Sequence, residues 1–487
     1  MSLRVLSGSS VLFLALTFLA APTTARRGPA TSPGQAQTPG TSTLDDQVDL
    51  AVTVYNSDLA LVRDTRNVTL AQGTSDLHFM DIAATVNPAT VHFRSLTEPA
   101  RVGVLEQNYE YDLLEPAKLL QKYVGRDVTL VRTRDGREEE VVAHLISNNN
   151  GPVWRINGEI VTGMSATHIR FPELPGNLFS RPTLIWTLDN EGALRHRVEA
   201  SYLAGQLAWN ADYVLTVARD DKAADLDGWV TVKNGSGTSF RNATLQLVAG
   251  DLNRVRTAMS SLNFAMAKDA PAPSAAPMAQ ESFSDYHLYT LGRRTTINNA
   301  ETKQVSMLNA TSFPVVKRYV VDGQQFYYRN FRHPGSPLKE VVQVYYQLKN
   351  DEKSGLGMPM PAGTIRVYQA DSRGGLQFVG EDRIDHTPKD ETINLKIGNA
   401  FDVICERKQT DFQRVSNNTY EVEFEVTLRN HKAIPISVEL NEPIGGSWTM
   451  QRASHAWTKT DAWAAKFNLP VAADGSVALK YRVRVNY

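Results

Sequence analysis

The sequence contains one cysteine, Cys405, among its 487 residues. A single cysteine excludes an intrachain disulfide, and no cysteine near the N-terminus is present to carry a lipid anchor. Cys405 lies in the segment AFDVICERK, where Phe401, Val403 and Cys405 share one face of a predicted strand. Because no His or Lys lies on that face to lower the pKa of the thiol, a buried structural role is favoured over a reactive one.

The chain also lacks the common catalytic and nucleotide-binding signatures. It has no Gly-x-Ser-x-Gly elbow, no His-Glu-x-x-His zinc helix, no phosphate-binding glycine loop and no Cys-x-x-Cys pair. Neither sign of charge dominates, since 51 Lys and Arg residues balance 52 Asp and Glu residues. A neutral chain has no general attraction to nucleic acid or to an anionic membrane. We therefore expect no nucleic-acid partner, no cofactor and no bound metal.

Long apolar runs are missing as well, and the one short run lies at the N-terminus. Residues 1–25 combine Arg4, an apolar core at 11–20 and small residues after it, which is the pattern of a signal peptide. This core is too short to span a bilayer, for which about 20 apolar residues are needed. Residues 26–44 are rich in Pro, Gly, Ser, Thr and Gln, so we predict a disordered linker. These features predict an exported protein, periplasmic or extracellular, with no transmembrane anchor after signal cleavage.

The sequence is rich in alternating strand patterns. Residues 418–440 show the clearest alternation, and the polar face of this segment begins with three acidic residues, Glu421, Glu423 and Glu425. The last segment, SVALKYRVRVNY, carries three basic residues on its polar face, Lys480, Arg482 and Arg484. Antiparallel pairing would place the cations opposite the anions, so we predict that these two strands are neighbours in one sheet.

Turn-forming residues divide the rest of the chain into segments. We predict a mainly β fold of two or three β-sandwich or barrel domains of immunoglobulin-like build, with one short helix near residues 112–124. The predicted segments are an N-terminal β segment (45–104), a small β-barrel-like insert (105–180), a β-sandwich (181–266), an Ala/Pro-rich linker (267–282) and a C-terminal β-sandwich (283–487). Closely spaced turns, among them Asn157-Gly158, are the reason for predicting a small bent barrel in the insert.

Two distant segments resemble each other. Residues 228–247 and 424–440 both run strand, Asn, polar loop, strand, with Asn234 and Asn430 where the first strand must turn. Asn suits such a position because its side chain can bond to nearby backbone. Two sandwich domains of similar build would explain this repeat, and so would convergent turn chemistry.

Two groups of residues are weak candidates for a functional site. Asp382, Asp385 and His386 lie in the acidic segment 380–391, and such side chains can ligate a metal or perform acid–base chemistry on a sugar. No second cluster supports them, and an exposed turn is the alternative. Three tryptophans form the other group, Trp448, Trp457 and Trp463. Their rings are candidates for stacking on a sugar or a protein partner, while core packing is the alternative.

Five blocks carry a family resemblance: SYLAGQLAWNADYVLTV (201–217), GWVTVKNGSGTSFRNATLQLVAGD (228–251), LGMPMPAGTIRVYQAD (356–371), GEDRIDHTPKDETINLKIGNAFDV (380–403) and EVTLRNHKAIPISVELNEPIGGSW (425–448). Together they resemble a bacterial domain of unknown function found in mucoidy-inhibitor-like proteins. The resemblance covers residues 48–487 and implies an exported, mostly β envelope protein of unknown activity, with no catalytic signature. Members often carry a long coiled-coil hairpin, whereas this chain has only the short predicted helix.

The leading functional hypothesis is a non-enzymatic β-sandwich protein of the envelope that binds an envelope protein or a surface polymer. Regular strand alternation without a convergent polar site favours it. The alternative is a hydrolase acting on envelope glycan, with Asp382, Asp385 and His386 as its candidate catalytic residues. A purely structural role is a third possibility.

Overall fold

The structure of the protein, a computed structural model, describes residues 40–110, 115–134, 137–164, 166–173, 181–250, 278–329 and 337–487. The predicted signal peptide and most of the linker at 26–44 lie outside these residues. Most of the predicted linker at 267–282 also lies outside them, and its last residues belong to a strand that begins at Ala279. The described chain is mainly β with one α-helix, which confirms the predicted fold class.

The strands are numbered in chain order. Up to residue 173 they are β1 (Thr41–Ser42), β2 (Gln47–Tyr55), β3 (Leu59–Thr69), β4 (Gly73–Met80), β5 (His92–Ser95), β6 (Val102–Glu110), β7 (Asp127–Arg134), β8 (Arg137–Ser147), β9 (Val153–Ile156), β10 (Glu159–Thr162) and β11 (His168–Arg170). Next come β12 (Thr183–Asn190), β13 (Arg195–Gly205), β14 (Leu207–Val217), β15 (Ala223–Asn234), β16 (Phe240–Ala249), β17 (Ala279–Phe283), β18 (Tyr286–Thr290), β19 (Thr295–Ile297), β20 (Glu301–Pro314) and β21 (Val316–Asp322). The last are β22 (Leu338–Glu340), β23 (Gln343–Lys349), β24 (Gly363–Ala370), β25 (Leu376–Ile384), β26 (Thr392–Asn399), β27 (Val403–Arg414), β28 (Thr419–Asn430), β29 (Ile436–Pro443), β30 (Ser447–Ala453), β31 (Trp457–Asp461), β32 (Ala464–Val471) and β33 (Ser476–Asn486).

A small antiparallel sheet in the order β10-β9-β8-β7-β11 has its own core around Trp154. The α-helix α1 (Pro116–Lys122) precedes this sheet and lies within the predicted helix at 112–124. Asn157 and Gly158 join β9 to β10 with φ of 50° and 88°, the left-handed conformation that a two-residue hairpin turn requires. The Asn-Gly turn predicted at this position is thus confirmed.

Two larger sheets form what we call the first sandwich. One runs β17-β18-β16-β2-β3-β13-β5, with β19 paired to β16, and the other runs β20-β15-β14-β24-β25. β14 packs across β2 and β3, and alternate apolar side chains of both sheets share one core. A four-stranded sheet, β1-β4-β12-β6, adds its apolar side chains to that core. Strands far apart in sequence are therefore neighbours in the first sandwich.

The second sandwich consists of the sheets β26-β23-β21-β29-β32-β31 and β22-β27-β28-β33-β30 around a separate core. β28 and β33 pair antiparallel as predicted, and Val422 lies opposite Val483. Each anion of β28 faces a cation of β33, in the pairs Glu421–Arg484, Glu423–Arg482 and Glu425–Lys480. The predicted register of these charges is thus confirmed.

Cys405 is fully buried on β27, as predicted, and burial together with the nearby Glu340 carboxylate raises the pKa of its thiol. The expectation that Phe401 shares the buried face is wrong, because its side chain is 95% exposed. The reason is that β27 begins only at Val403, so Phe401 lies in the preceding loop, where strand alternation does not apply.

The two sandwiches share one strand arrangement. Nine strands of the first, β2, β3, β13, β14, β15, β16, β17, β18 and β20, correspond in chain order to β21, β23, β26, β27, β28, β29, β31, β32 and β33 of the second. Six equivalent pairs are antiparallel, and the pairs β2–β16 and β21–β29 are both parallel. Asn234 and Asn430 end equivalent strands, and each lies opposite the first residue of its partner strand. The repeated segments therefore reflect two sandwiches of similar build.

None of the helices in the described part of the chain has the length and apolar character that crossing a membrane requires.

Candidate functional site

The acidic segment at 380–391 places its three candidate side chains against different partners. Asp382 lies on β25, and its carboxylate accepts hydrogen bonds from the backbone N–H groups of Arg383 and Lys396 at 2.8 and 2.7 Å. The exposed His386 accepts one from the backbone N–H of Ala362 at 3.2 Å. Asp385 is also exposed, and the structure brings these side chains into no common hydrogen-bonded cluster. Across the described residues no group of three or more His, Cys, Asp or Glu side chains is arranged to hold a metal ion.

The three tryptophans have different environments. Trp448 is 9% exposed, and its indole N–H donates to the carbonyl of Ala462 at 3.0 Å. Trp457 is 36% exposed and packs on Trp448 with ring centroids 5.6 Å apart. Trp463 is 60% exposed, although its backbone is fixed by a 2.6 Å hydrogen bond from its N–H to Asp461. Of the three, Trp463 therefore presents the most free ring surface.

Trp463 lines a pocket of about 400 Å³ at one end of the second sandwich. We call it the Trp463 pocket. Seven of the described residues line it: Gln325, Phe326, Arg329, Gly445, Gly446, Trp463 and Tyr487. A volume of this size falls in the range of small-ligand sites. Four separate pieces of the chain meet there, so the pocket is a product of the tertiary fold.

A short 3-10 helix, Gln325–Tyr328, forms one wall of the pocket. Its first two residues are exposed on the pocket side, whereas Tyr327 and Tyr328 are buried in the core of the second sandwich. The backbone N–H of Arg329 bonds to the carbonyl of Phe326, which closes the helix. The wall is therefore anchored by the two tyrosines while Gln325, Phe326 and Arg329 face outward.

The anchoring tyrosine Tyr328 belongs to a buried polar cluster. Its hydroxyl donates to Glu442 at 2.7 Å and lies 3.0 Å from the hydroxyl of Tyr481. Arg407 donates to both Glu340 and Glu442, at 2.8 and 2.6 Å, and to Tyr481 at 2.9 Å. These five side chains, which we call the buried cluster, satisfy one another away from water.

Burial raises the pKa of Glu442, while Arg407 opposes this shift. One guanidinium faces two carboxylates, so removing Arg407 would leave two buried acids without a cation. The cluster joins β22, β27, β29 and β33 to the 3-10 helix. It therefore holds the pocket wall in place from behind.

Two glycines are among the residues that line the Trp463 pocket. Gly446 has φ of 74°, and a Cβ at this position would lie 2.5 Å from the carbonyl oxygen of Asn486. A Cβ on Gly445 would lie 3.3 Å from the ring of Tyr487. At Gly446 the backbone therefore lies so close to Asn486 of the adjacent strand that only glycine fits without strain.

The lining combines exposed rings with one cation. Phe326 is 45% exposed, and the guanidinium of Arg329 lies 3.7 Å from the centre of the Tyr487 ring. Burial raises the pKa of the Tyr487 phenol, and the neighbouring Arg329 opposes that shift. Gln325 adds an amide. These groups can stack on a ring, donate hydrogen bonds and attract an anion.

Sequence patterns identify only Trp463 of this pocket. The 3-10 helix follows β21 and Tyr487 follows β33, so nothing local in either segment indicates that they meet. The one available signal is Gly445-Gly446 directly before a strand, because paired glycines there indicate a turn or a close backbone approach.

Comparison with models of known protein families gave no match, and comparison with curated proteins gave none either. The resemblance to the mucoidy-inhibitor-like family therefore stays a prediction.

Proposed function

We propose that the protein is a non-enzymatic binding protein of the bacterial envelope and that the Trp463 pocket holds its ligand. The observation that carries the proposal is the composition of the pocket. Among the residues that the structure describes, the lining includes no Asp, Glu, His, Cys, Ser or Lys, the side chains that supply acids, bases and nucleophiles in most enzymes. Rings, an amide and a guanidinium are groups for holding a ligand.

The exposure of Trp463 supports the same proposal. Trp463 and Phe326 are both exposed and line the same pocket, so their rings offer a ligand apolar surface in one place. The backbone on both sides is fixed, since the N–H of Trp463 bonds to Asp461 and its carbonyl accepts from Ile444 at 2.5 Å. An exposed ring on a fixed backbone beside a pocket is suited to stacking on a ligand.

Export and membership of the mucoidy-inhibitor-like family are part of the proposal. They rest on the signal-peptide pattern at 1–25, which lies outside the described residues, and on the five sequence blocks. We propose an envelope protein or a surface polymer as the partner.

Hydrolysis of envelope glycan has weaker support. A glycosidase needs two carboxyl groups about 5 to 10 Å apart around the scissile bond. Asp382 instead accepts two backbone N–H groups, and Asp385 and His386 lie outside the lining of the pocket.

Co-sedimentation of the purified protein with isolated cell envelopes tests the proposal. We expect wild type to be retained, Trp463→Ala to lose retention by about tenfold, and the double variant Asp382→Asn, Asp385→Asn to behave as wild type. Phe378→Ala is the matched control, because this ring is also exposed but lies on β25 of the first sandwich. Release of soluble sugar by wild type, lost in the double Asn variant, would establish a hydrolase instead.

A further inference from the structure

Among the described residues that line the Trp463 pocket, one side chain is charged, that of Arg329. Arg329 is exposed, its guanidinium lies over the Tyr487 ring, and it forms no ion pair with a carboxylate of the described residues. Other partly exposed arginines of the second sandwich form ion pairs with carboxylates. Arg484 pairs with Glu421, and Arg429 pairs with Glu406. Arg329 thus keeps its charge available to a ligand.

The guanidinium is held in position before any ligand arrives. Its central carbon lies 3.7 Å from the centre of the Tyr487 ring, and the backbone of Arg329 is fixed by the hydrogen bond from its N–H to Phe326 at the end of the 3-10 helix. A guanidinium that already rests on a ring loses less freedom when it binds, and its fork of donors matches a carboxylate in a bidentate manner. The charge therefore favours an anionic group, with a planar carboxylate the best match.

The rest of the lining fits a sugar ring better than a protein surface. An exposed indole offers a flat apolar face for the C–H side of a pyranose, and Gln325 can bond to hydroxyls. A stable protein interface buries roughly 800 Å² on each partner, involving about 20 to 30 residues. Seven residues around 400 Å³ match one or two sugar rings more closely.

We infer that the Trp463 pocket binds a carboxylate-bearing sugar residue, as found in acidic polysaccharides built from hexuronic acids. The inference rests on the proposed binding function and specifies its ligand. Arg329 receives the carboxylate, and Trp463 stacks on the sugar ring. A neutral sugar, or a protein that inserts an apolar side chain, would leave the guanidinium without its anion.

Calorimetric titration of the full chain tests the inference with matched probes. The probes are trigalacturonic acid and its methyl ester, which keeps the hydroxyls and loses the charge, together with the gluco and manno hexuronic acid trimers. We expect at least one acid trimer to bind about tenfold more tightly than its ester, a difference of about 1.4 kcal/mol, because only the acid forms a charge-assisted pair with Arg329. Equal affinity for acid and ester, or no binding of any trimer at about 10 mM, would overturn the inference.

Two variants separate charge from stacking. Arg329→Gln should remove the preference for acid over ester, whereas Trp463→Ala should weaken both by about tenfold. Arg373→Gln is the charge control, since Arg373 is exposed in the turn between β24 and β25. Envelope retention that depends on Trp463 without a preference for acids would leave the binding function standing and refute the inference. If envelope retention is the same for Trp463→Ala as for wild type, the proposed function itself is refuted.

Discussion

Several strands end at a buried asparagine, whose side chain forms hydrogen bonds with nearby backbone groups. Asn430 donates to the carbonyls of Ile434 and Ala472 at 2.9 and 2.8 Å and accepts from the N–H of Lys432 at 3.0 Å. Asn234 makes the equivalent set in the first sandwich. Each amide closes its own turn and ties it to the loop that precedes the next strand of the sheet, which explains why Asn stands at both positions.

We predict that Asn430→Ala lowers the free energy of unfolding by about 2–4 kcal/mol, because two carbonyls and one N–H lose their buried partner. Asn430→Asp should cost more, since a carboxylate would then face two carbonyl oxygens. Denaturant titration measures both changes. Asn417→Ala, at an exposed turn, is the control. A loss below about 0.5 kcal/mol for Asn430→Ala would show that water replaces the amide.

Arg407 is the only cation of the buried cluster. Its replacement by Met should destabilise the protein by about 3–5 kcal/mol near pH 8, because Glu340 and Glu442 stay buried without a cation. Burial already raises the pKa of Glu442. A raised folded pKa favours the folded state at low pH, so the loss should shrink as the pH falls toward the ordinary carboxyl value of 4.5.

Thermal unfolding of Arg407→Met at several pH values measures this trend, with Arg373→Met as the matched control on the surface. A loss that is constant from neutral to acid pH would contradict the account of the cluster.

At the scale of elements, one carboxylate joins three neighbouring strands. Glu439 of β29 receives two 2.6 Å hydrogen bonds from Arg318 of β21 and pairs with Lys466 of β32. The Arg318 guanidinium, followed by Lys466, lowers the pKa of Glu439 to about 2. The interaction fixes the parallel pairing of β21 and β29, which has an equivalent in the first sandwich.

A lowered folded pKa stabilises the protein above the unfolded value of 4.5, and this stabilisation disappears as the pH falls through about 2. We therefore predict that Glu439→Gln costs about 2 kcal/mol at neutral pH, after allowance for solvent screening, and progressively less between pH 4.5 and 2. Denaturant titrations across this range measure the difference. Glu159→Gln, at an exposed position of β10, is the control. A constant difference down to pH 2 would refute the assigned pKa.

Strand pairing could be predicted only where the pattern of charges is local and regular. The register of β28 and β33 follows from three acids and three bases at alternate positions, and the structure confirms it. Alternation failed at Phe401, because the beginning of a strand depends on tertiary hydrogen bonds that the sequence pattern does not show. The sequence pattern does not distinguish Trp448 from Trp463. In the structure, Trp457 and Lys459 pack on the Trp448 ring and cover it, whereas the Trp463 ring is exposed.

At the scale of the whole molecule, a hairpin from the chain segment of the second sandwich belongs to the first sandwich. β24 and β25 follow β23 of the second sandwich in sequence but extend a sheet of the first, where β24 pairs in parallel with β14. Leu348 of β23 and Leu395 of β26 also contribute to the core of the first sandwich. Sequence patterns are local and do not show such contacts between distant segments. The Trp463 pocket could not be predicted from the sequence for the same reason.

The most direct test of the central claim is site-specific photocrosslinking in cells. A photoreactive residue at Ala462, an exposed neighbour of Trp463 outside the pocket lining, would capture whatever the pocket holds. We predict a reproducible adduct with an envelope component that disappears when Trp463→Ala or Arg329→Gln is added, and none from the same residue at Arg373. An adduct that persists in both variants, or no adduct from Ala462, would contradict the assignment of the pocket as the binding site.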